Sequence, residues 1–177
     1  MRNIKRFFSA MAIVLLSVAV MDAPVLAGSH VAITEQPPAA ISNIYYTTPT
    51  GGHDFTPTKG ARLTVVHLWA TWCVPCTQEL PELDKALAEN KARGLEVLPL
   101  AGETDVQKVQ QFYSSHGVTQ LPVALDPGLQ AIYTLGIRAL PTSLFVDAKG
   151  QVVARADGPV DWASPATQEF LNKALAM

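Results

Sequence analysis

Cysteine is the scarcest residue type in this sequence, with two in 177 residues. Two cysteines exclude the multi-bridge disulfide scaffolds of small secreted domains, and one chain cannot supply a closed zinc site of four cysteines. An excess of positive charge is also missing, because 13 Lys and Arg stand against 15 Asp and Glu for a net charge of −2. The electrostatic footprint of a nucleic-acid-binding surface is therefore absent, and we expect no nucleic-acid partner.

Charged residues make up 16% of the chain and aromatic residues 7%, while hydrophobic residues reach 49%. This composition is too apolar for an intrinsically disordered chain and too mixed for a protein with many membrane spans. A chain of this length is sufficient for one core of ordinary size with a short appendage, and we find no internal repeat. The sequence therefore predicts one folded domain.

A strongly apolar, uncharged run lies near the N-terminus, at residues 7–21. Three basic residues precede it and the small-residue site Val25-Leu26-Ala27 follows it, which is typical of an export signal. The run is shorter than the roughly 20 residues of a membrane-spanning helix, so we expect cleavage after Ala27 rather than a permanent anchor. The basic residues disfavour the alternative of a short buried helix. The sequence thus predicts a signal peptide at 1–27 and a periplasmic protein.

Residues 28–40 are rich in small and polar residues, show no periodicity and contain Pro37-Pro38. Because proline interrupts regular elements, we expect a flexible lead-in here, followed by the folded domain at 41–177.

Short apolar runs alternate with helical stretches over the rest of the chain. The run 63–69 is apolar on both faces, as a central parallel strand covered by helices must be. Alternation of this kind predicts an α/β fold with a central mixed β-sheet flanked by helices and an N-terminal β-hairpin. We expect strands at 41–46, 53–55, 63–69, 95–100, 122–125, 142–146 and 151–156, and helices at 73–93, 105–116, 129–135 and 165–176.

Both cysteines belong to the segment Cys73-Val74-Pro75-Cys76, between the central strand and the first long helix. This spacing predicts one exposed sulfur at the start of the helix and a second sulfur one turn inside. The partial positive charge of a helix N-terminus lowers thiol pKa values, and a low-pKa thiol leaves easily from a mixed disulfide. The segment therefore predicts a two-thiol exchange catalyst.

Three other interpretations of the pair remain open. A structural disulfide across two residues closes so small a loop that it stabilises the fold little. If the pair were half of a metal site, two further ligands would be needed, and no two of the histidines stand at zinc-finger spacing. A chance pair of core thiols is disfavoured by the neighbouring Trp72 and Pro75. The four histidines are His30, His53, His67 and His116.

The residues around the pair resemble the active-site signature of the thioredoxin superfamily, and specifically its exported TlpA/ResA-like branch. The signature is Trp69-Ala-Thr-Trp-Cys-Val-Pro-Cys76, followed by Glu79 and Pro81. The likeness continues in order over 41–177, with later landmarks at 123–127, 135–147 and Lys149-Gly150. The resemblance implies a thioredoxin-like fold, in which 105–116 is the helix that this branch inserts.

By this resemblance, Cys73 is the attacking nucleophile and Cys76 the resolving thiol. The resemblance also implies a cis peptide bond before Pro141, in a loop beside the sulfurs, with Leu140 available to pair with an extended substrate; an ordinary strand-opening proline is the alternative. Trp72 and Pro75 complete the expected substrate contacts. Trp72 offers a flat apolar rim, although it could equally cover the sheet edge.

Two further residues are candidates for proton transfer. Glu79 lies one helical turn after Cys76 and could take its proton, or it could be a solvated carboxylate paired with a neighbour. His67 stands where cytosolic thioredoxins carry a buried Asp and TlpA-like proteins usually an Asn. It is either a hydrogen-bonded core histidine or a proton shuttle for Cys76. As a shuttle it should titrate near ~6.5 and change the slope of exchange rates within about one pH unit of that value.

These features predict an exported thiol:disulfide oxidoreductase that reduces disulfides or metal-site cysteine pairs in other exported proteins, as in cytochrome c maturation or copper-site assembly. Pro75 resembles reducing members, so a membrane electron donor is the implied partner; we expect no cofactor, no resident metal and a monomer. The alternative is a copper chaperone that holds Cu(I) through both thiolates and a histidine. Such proteins usually separate their cysteines by three residues, whereas two residues separate Cys73 and Cys76. A thiol peroxidase would need a Thr and a Pro before the cysteine, which we do not find.

Overall fold

A computed structural model describes residues 29–176, in which the chain forms eight strands and four helices. The predicted signal peptide and its cleavage site lie outside the described residues. None of the four helices combines the length and apolar character that crossing a membrane requires. The strands are β1 (Thr34–Ala40), β2 (Tyr45–Thr48), β3 (Gly51–Asp54), β4 (Leu63–Trp69), β5 (Leu95–Ala101), β6 (Ala124–Leu125), β7 (Thr142–Asp147) and β8 (Gln151–Asp157), and the helices are α1 (Val74–Asn90), α2 (Val106–His116), α3 (Gln130–Thr134) and α4 (Pro165–Ala176).

All eight strands join one mixed sheet in the order β1-β8-β7-β4-β5-β6-β2-β3. The predicted central strand β4 pairs in parallel with β5 and antiparallel with β7. Its residues are buried on both faces, because alternate side chains point into two different cores. Val65 and Trp69 pack into the core that α1, α2 and α4 cover, whereas Val66 and Leu68 pack into the core under α3. The predicted mixed α/β sheet is confirmed.

The prediction of an irregular lead-in is wrong for residues 34–40. These residues form the edge strand β1, which pairs antiparallel with β8. The register shifts between Glu35 and Ala39, around Pro37-Pro38. Prolines are tolerated at this place because an edge strand leaves one row of N–H groups unpaired and an irregular pairing leaves others free. The segment therefore continues the sheet and does not merely precede it.

The predicted N-terminal hairpin is present as β2 and β3, but its first strand begins at Tyr45 instead of residue 41. Residues 41–44 carry the chain from one edge of the sheet to the other. Ile41 and Ile44 pack against the core under α3 on the way, so their apolar character reflects this crossing. Because both strands of a hairpin and a buried crossing use apolar residues, local sequence does not separate them.

Helix α1 follows β4 and presents the cysteine pair. Cys73 is its N-cap residue, Pro75 stands in the first turn where proline is favoured, and that turn contains no acidic residue. Pro81 lies inside the helix, which continues to Asn90 and ends in a short 3-10 turn before Gly94. Gly94 has a φ of 99°, which glycine adopts easily. The buried face of α1 includes Cys76, Glu79, Leu80, Leu83 and Leu87.

Candidate active site

The two cysteines form a disulfide at the start of α1, with an S–S distance of 2.04 Å and a Cα–Cα distance of 5.3 Å. The Cys73 N–H donates to the carbonyl of Ala70, which closes the turn between β4 and the helix. Cys73 retains 7% of its accessible surface, whereas Cys76 is fully buried. Cys73 is therefore the cysteine of the pair that is nearer to solvent.

An open cavity of about 390 Å³ lies beside Cys73. Trp72 and Pro75 line it from the α1 side and Leu140 from the opposite side. Trp72 is 64% exposed, which is unusual for so large an apolar side chain. The peptide bond between Leu140 and Pro141 is cis, and Pro141 itself is buried at the start of β7. The structure thus brings three of the four predicted substrate contacts to the cavity wall and places the fourth next to Leu140.

The remaining walls of this cavity are formed by residues that no sequence motif predicts. Leu129 and Ile132 reach it from the α3 region, and Ile137 and Arg138 reach it from the loop before Leu140. Arg138 is exposed, and it forms no salt bridge within the part of the chain that the structure describes. These residues are brought to Cys73 by the packing of distant segments, and no local motif identifies them. The cavity is an apolar cleft with one cationic side chain on its wall.

Glu103, which follows β5, holds the loop in front of Cys73. Its Oε1 accepts hydrogen bonds from the Thr71 N–H at 3.2 Å and from the Thr71 hydroxyl. Its Oε2 accepts from Lys108 Nζ at 2.8 Å. Burial alone would raise the pKa of Glu103, but the hydrogen bonds from Lys108 and Thr71 outweigh it and lower the pKa below its usual value. Glu103 therefore remains an anion that fixes the loop carrying Trp72.

Glu79 is buried to 4% exposure on the same face of α1 as Cys76, so the alternative of a solvated surface carboxylate is wrong. Its Oε1 accepts hydrogen bonds from Trp162 Nε1 at 2.7 Å and from the Val160 N–H at 3.2 Å. Its Oε2 has no partner among the described residues. Burial raises the pKa of Glu79 to about 7, and the charge of Glu82 raises it too, although the two hydrogen bonds act in the opposite direction.

His67 is fully buried on β4, on the face that also carries Val65 and Trp69. Its Nδ1 lies 2.9 Å from Ser143 Oγ, and its Nε2 has no partner among the described residues. Burial lowers the pKa of His67 to about 3. The expectation that it titrates near pH 6.5 is therefore wrong, because the imidazolium is too poorly solvated to form at that pH. The position fits a hydrogen-bonded core histidine.

Within residues 29–176 no group of three or more His, Cys, Asp or Glu side chains is arranged to hold a metal ion. The only described hydrogen-bond partner of the His67 side chain is Ser143 on β7, and the two cysteine sulfurs are bonded to one another. The chemistry that the described geometry offers is thiol–disulfide exchange: a sulfur beside a cleft, a buried second sulfur, and a buried carboxyl group one turn along the same helix face.

Residues 50–155 match the model of the AhpC/TSA family. The chain belongs to the AhpC/TSA family. The chain is 38% identical over 94 residues to the thiol-disulfide oxidoreductase ResA of Bacillus thuringiensis (strain Al Hakam), a match that covers 52% of this chain and 53% of the relative. It is 28% identical over 130 residues to sporulation thiol-disulfide oxidoreductase A of Bacillus subtilis (strain 168), covering 71% of this chain and 78% of that one.

Among solved structures, this AhpC/TSA family member is similar to a thiol:disulfide interchange protein of the thioredoxin family from Chlorobium tepidum TLS. The TM-score is 0.63 at 23% identity, over 80% of this chain and 99% of the other. The predicted thioredoxin-like fold and the resemblance to ResA-like proteins are confirmed. The match spans about half the length of the first ResA relatives.

Proposed function

We propose that the protein is an exported thiol:disulfide oxidoreductase that reduces disulfides or cysteine pairs in other exported proteins. The observation that carries this proposal is the Cys73–Cys76 disulfide at the N-terminus of α1, with one sulfur beside an open cleft and the other buried. A structural disulfide across two residues stabilises a fold little, so this position favours chemistry over stability.

The reaction takes place in two exchange steps. In the reduced protein the Cys73 thiolate attacks one sulfur of a substrate disulfide, and the other substrate sulfur leaves as a thiolate. Cys76 then loses its proton and attacks Cys73 Sγ, which forms the observed disulfide and releases the second substrate sulfur as a thiolate. The substrate gains two electrons from the dithiol, and its two thiolates take up protons according to their pKa values.

Glu79 is the proposed proton acceptor for Cys76. It lies three residues after Cys76 on the buried face of α1, and its Oε2 is free of other partners among the described residues. A pKa of about 7 suits a group that must take a proton at neutral pH and return it later. His67, which stays neutral at that pH, is assigned to packing instead of proton transfer.

The cleft beside Cys73 is the proposed binding site for the substrate polypeptide. Trp72 and Leu140 offer apolar surface on its opposite sides, and Leu140 precedes the cis Pro141. An extended segment around the substrate cysteine can lie between them and present its sulfur to Cys73. Apolar walls of this kind suit many sequences, so the cleft supports a general polypeptide substrate.

Reduction is the proposed direction, which the resemblance of Pro75 to reducing members supports. An exported reductant needs a source of electrons, and a membrane protein with a dithiol of its own is the proposed donor. It would regenerate the protein by the same exchange at Cys73. Apocytochrome c and copper-site proteins are proposed substrates, because both need reduced cysteine pairs.

The redox potential of the Cys73–Cys76 couple tests the direction. A value near the approximately −270 mV of thioredoxin supports a reductant, whereas a value near the approximately −120 mV of DsbA makes the protein an oxidant. Cys76→Ser should trap exported proteins as mixed disulfides on Cys73, and Cys73→Ser is the matched control that should trap none. Titration of the reduced protein with Cu(I) against a chelator tests the copper-chaperone alternative: tight binding combined with an absence of disulfide reductase activity would replace the proposed function.

A further inference from the structure

The loop between β8 and α4 holds the donors that reach Glu79. This loop is fixed from two sides. The Val31 N–H donates to the Pro159 carbonyl at 2.8 Å, and the Gln168 side chain donates to the Trp162 carbonyl at 2.7 Å. Gly158 lies so close to Val31 that an added Cβ would stand 2.7 Å from a Val31 methyl carbon. The backbone that carries Trp162 therefore has little freedom to move.

The Trp162 side chain is itself buried to 1% exposure. Its ring packs against Phe145, with 6.1 Å between ring centroids. Packing alone would be satisfied by any large apolar ring, but the indole N–H points at a specific acceptor. At 2.7 Å from Glu79 Oε1, it makes a short hydrogen bond of the kind formed with charged acceptors. Trp162 is thus both a core residue and a ligand of the buried carboxyl group.

Both donors of this loop bind the same oxygen of Glu79. Trp162 Nε1 and the Val160 N–H share Oε1, and Oε2 is left without a partner among the described residues. A glutamate side chain has three rotatable bonds, so an unanchored carboxyl group would sample several orientations. Two donors on one oxygen select one orientation and leave the second oxygen available for a proton.

We propose that Trp162 is a positioning residue for thiol–disulfide exchange: its indole N–H holds Glu79 Oε1 so that Oε2 is the oxygen that exchanges a proton with Cys76. This inference rests on the proposed role of Glu79. It assigns a specific chemical task to a tryptophan that is buried in the core and packs on Phe145. Trp162 acts through Glu79, to which its indole N–H donates.

The indole N–H of Trp162 and the charge of Glu82 both affect the pKa of Glu79. Among the described residues, Glu82 on α1 is the only charged group that shifts the pKa of Glu79, and it raises it. A hydrogen bond to the carboxylate favours the ionised form. Removal of the indole N–H should therefore raise the midpoint of the Glu79 titration by about one pH unit, since hydrogen bonds to charged groups have this magnitude.

Trp162→Phe tests the proposal because it keeps a buried ring and removes the donor. At pH 7 the ionised fraction of Glu79 should fall from about one half to about one tenth, so the attack of Cys76 on a mixed disulfide should slow about fivefold. The difference in this rate between the wild type and Trp162→Phe should narrow as the pH rises. Phe170→Leu is the control, because Phe170 packs on Phe145 in the same core without a hydrogen bond to Glu79. Phe170→Leu should leave the pH dependence of the resolving step unchanged.

A double-mutant cycle separates positioning from packing. In a Glu79→Gln background, Trp162→Phe should slow the resolving step no further, since the group through which it acts is gone. An equal slowing with and without Glu79 would overturn the proposal, as would a Glu79 titration that does not move in Trp162→Phe.

A measurement on the unchanged protein covers the case in which Trp162→Phe does not fold. The Trp162 indole proton resonance should titrate with a midpoint near 7 in the oxidised protein and should lose this titration in Glu79→Gln. A resonance indifferent to Glu79 would overturn the inference. Failure of the proposed function shows itself separately, as a protein that reduces no disulfide while its indole still reports Glu79.

Discussion

The Nδ1 atom of His67 lies 2.9 Å from the hydroxyl oxygen of Ser143, directly across the paired strands β4 and β7. The histidine is fully buried, and its second nitrogen has no partner among the described residues. A positive charge at this place would be neither solvated nor paired, which is why the pKa falls to about 3. His67 is therefore a neutral structural histidine over the whole physiological range.

This neutrality makes stability depend on pH in a defined direction. In the unfolded chain His67 binds a proton below about pH 6.5, whereas in the folded chain it does so only near 3. The unfolded state thus binds more protons in this window, and the protein loses stability as the pH falls through it. We expect His67→Asn to abolish a loss of roughly 2–3 kcal/mol between pH 6.5 and 4.5. Urea denaturation at several pH values in a Glu79→Gln background measures this loss in the free energy of unfolding. An equal loss with and without His67 would contradict the assignment.

Glu79 should produce the opposite dependence. Its folded-state pKa of about 7 lies above its usual value of 4.5, so the folded protein binds the extra proton between these values. Its contribution to stability is complete below about pH 4.5 and is lost as the pH rises through 7. We expect a loss of roughly 3 kcal/mol in the oxidised His67→Asn variant, in which the opposing titration of His67 is absent. Glu79→Gln should remove it and be the more stable protein at pH 8. If the free energy of unfolding of His67→Asn rises between pH 4.5 and 7, this assignment is refuted.

Much of the scaffold is predictable from local sequence, because each element carries its own signals. Cys73 and Pro75 mark the start of α1, and Asp105 and Gly117 bound α2 as its caps. The edge strand β1 is not predictable in this way. Pro37-Pro38 argues locally against a strand, and only the pairing with β8, more than 100 residues later in the chain, makes one form.

The candidate site shows the same division. The two cysteines are separated by only two residues, and this spacing predicts their chemistry. The environment of Glu79 instead depends on residues about 80 positions away, Val160 and Trp162. No spacing rule relates a helix carboxylate to a tryptophan at that distance. The pKa of a residue follows from burial and partners, so proton-transfer roles could be proposed from the sequence but not decided there.

A carboxylate on α1 also holds the loop that leads into β6. Asp84, buried to 6% exposure, accepts hydrogen bonds from three successive N–H groups, those of Thr119 at 3.1 Å, Gln120 at 2.7 Å and Leu121 at 2.9 Å. Asp84→Ala leaves these donors to solvent or unsatisfied, and we expect a destabilisation of about 2–3 kcal/mol. Asp105→Ala, which removes one exposed helix cap, is the control and should cost about 1 kcal/mol. Equal losses in chemical denaturation would show that the three donors do not act together.

Trp72 should contribute to binding and not to stability. Its side chain is 64% exposed on the wall of the cleft, so Trp72→Ala removes little buried surface, and we expect the free energy of unfolding to change by less than about 0.5 kcal/mol. A substrate polypeptide that covers the ring would bury apolar area worth about 1–2 kcal/mol. The KM for a disulfide-bonded protein substrate should therefore rise about tenfold, while exchange with a small disulfide such as oxidised dithiothreitol stays within about twofold. Tyr133→Ala is the matched control, because Tyr133 is even more exposed, at 76%, but does not line the cleft. A similar rise in KM for both variants would mean that the polypeptide does not lie where the cleft predicts.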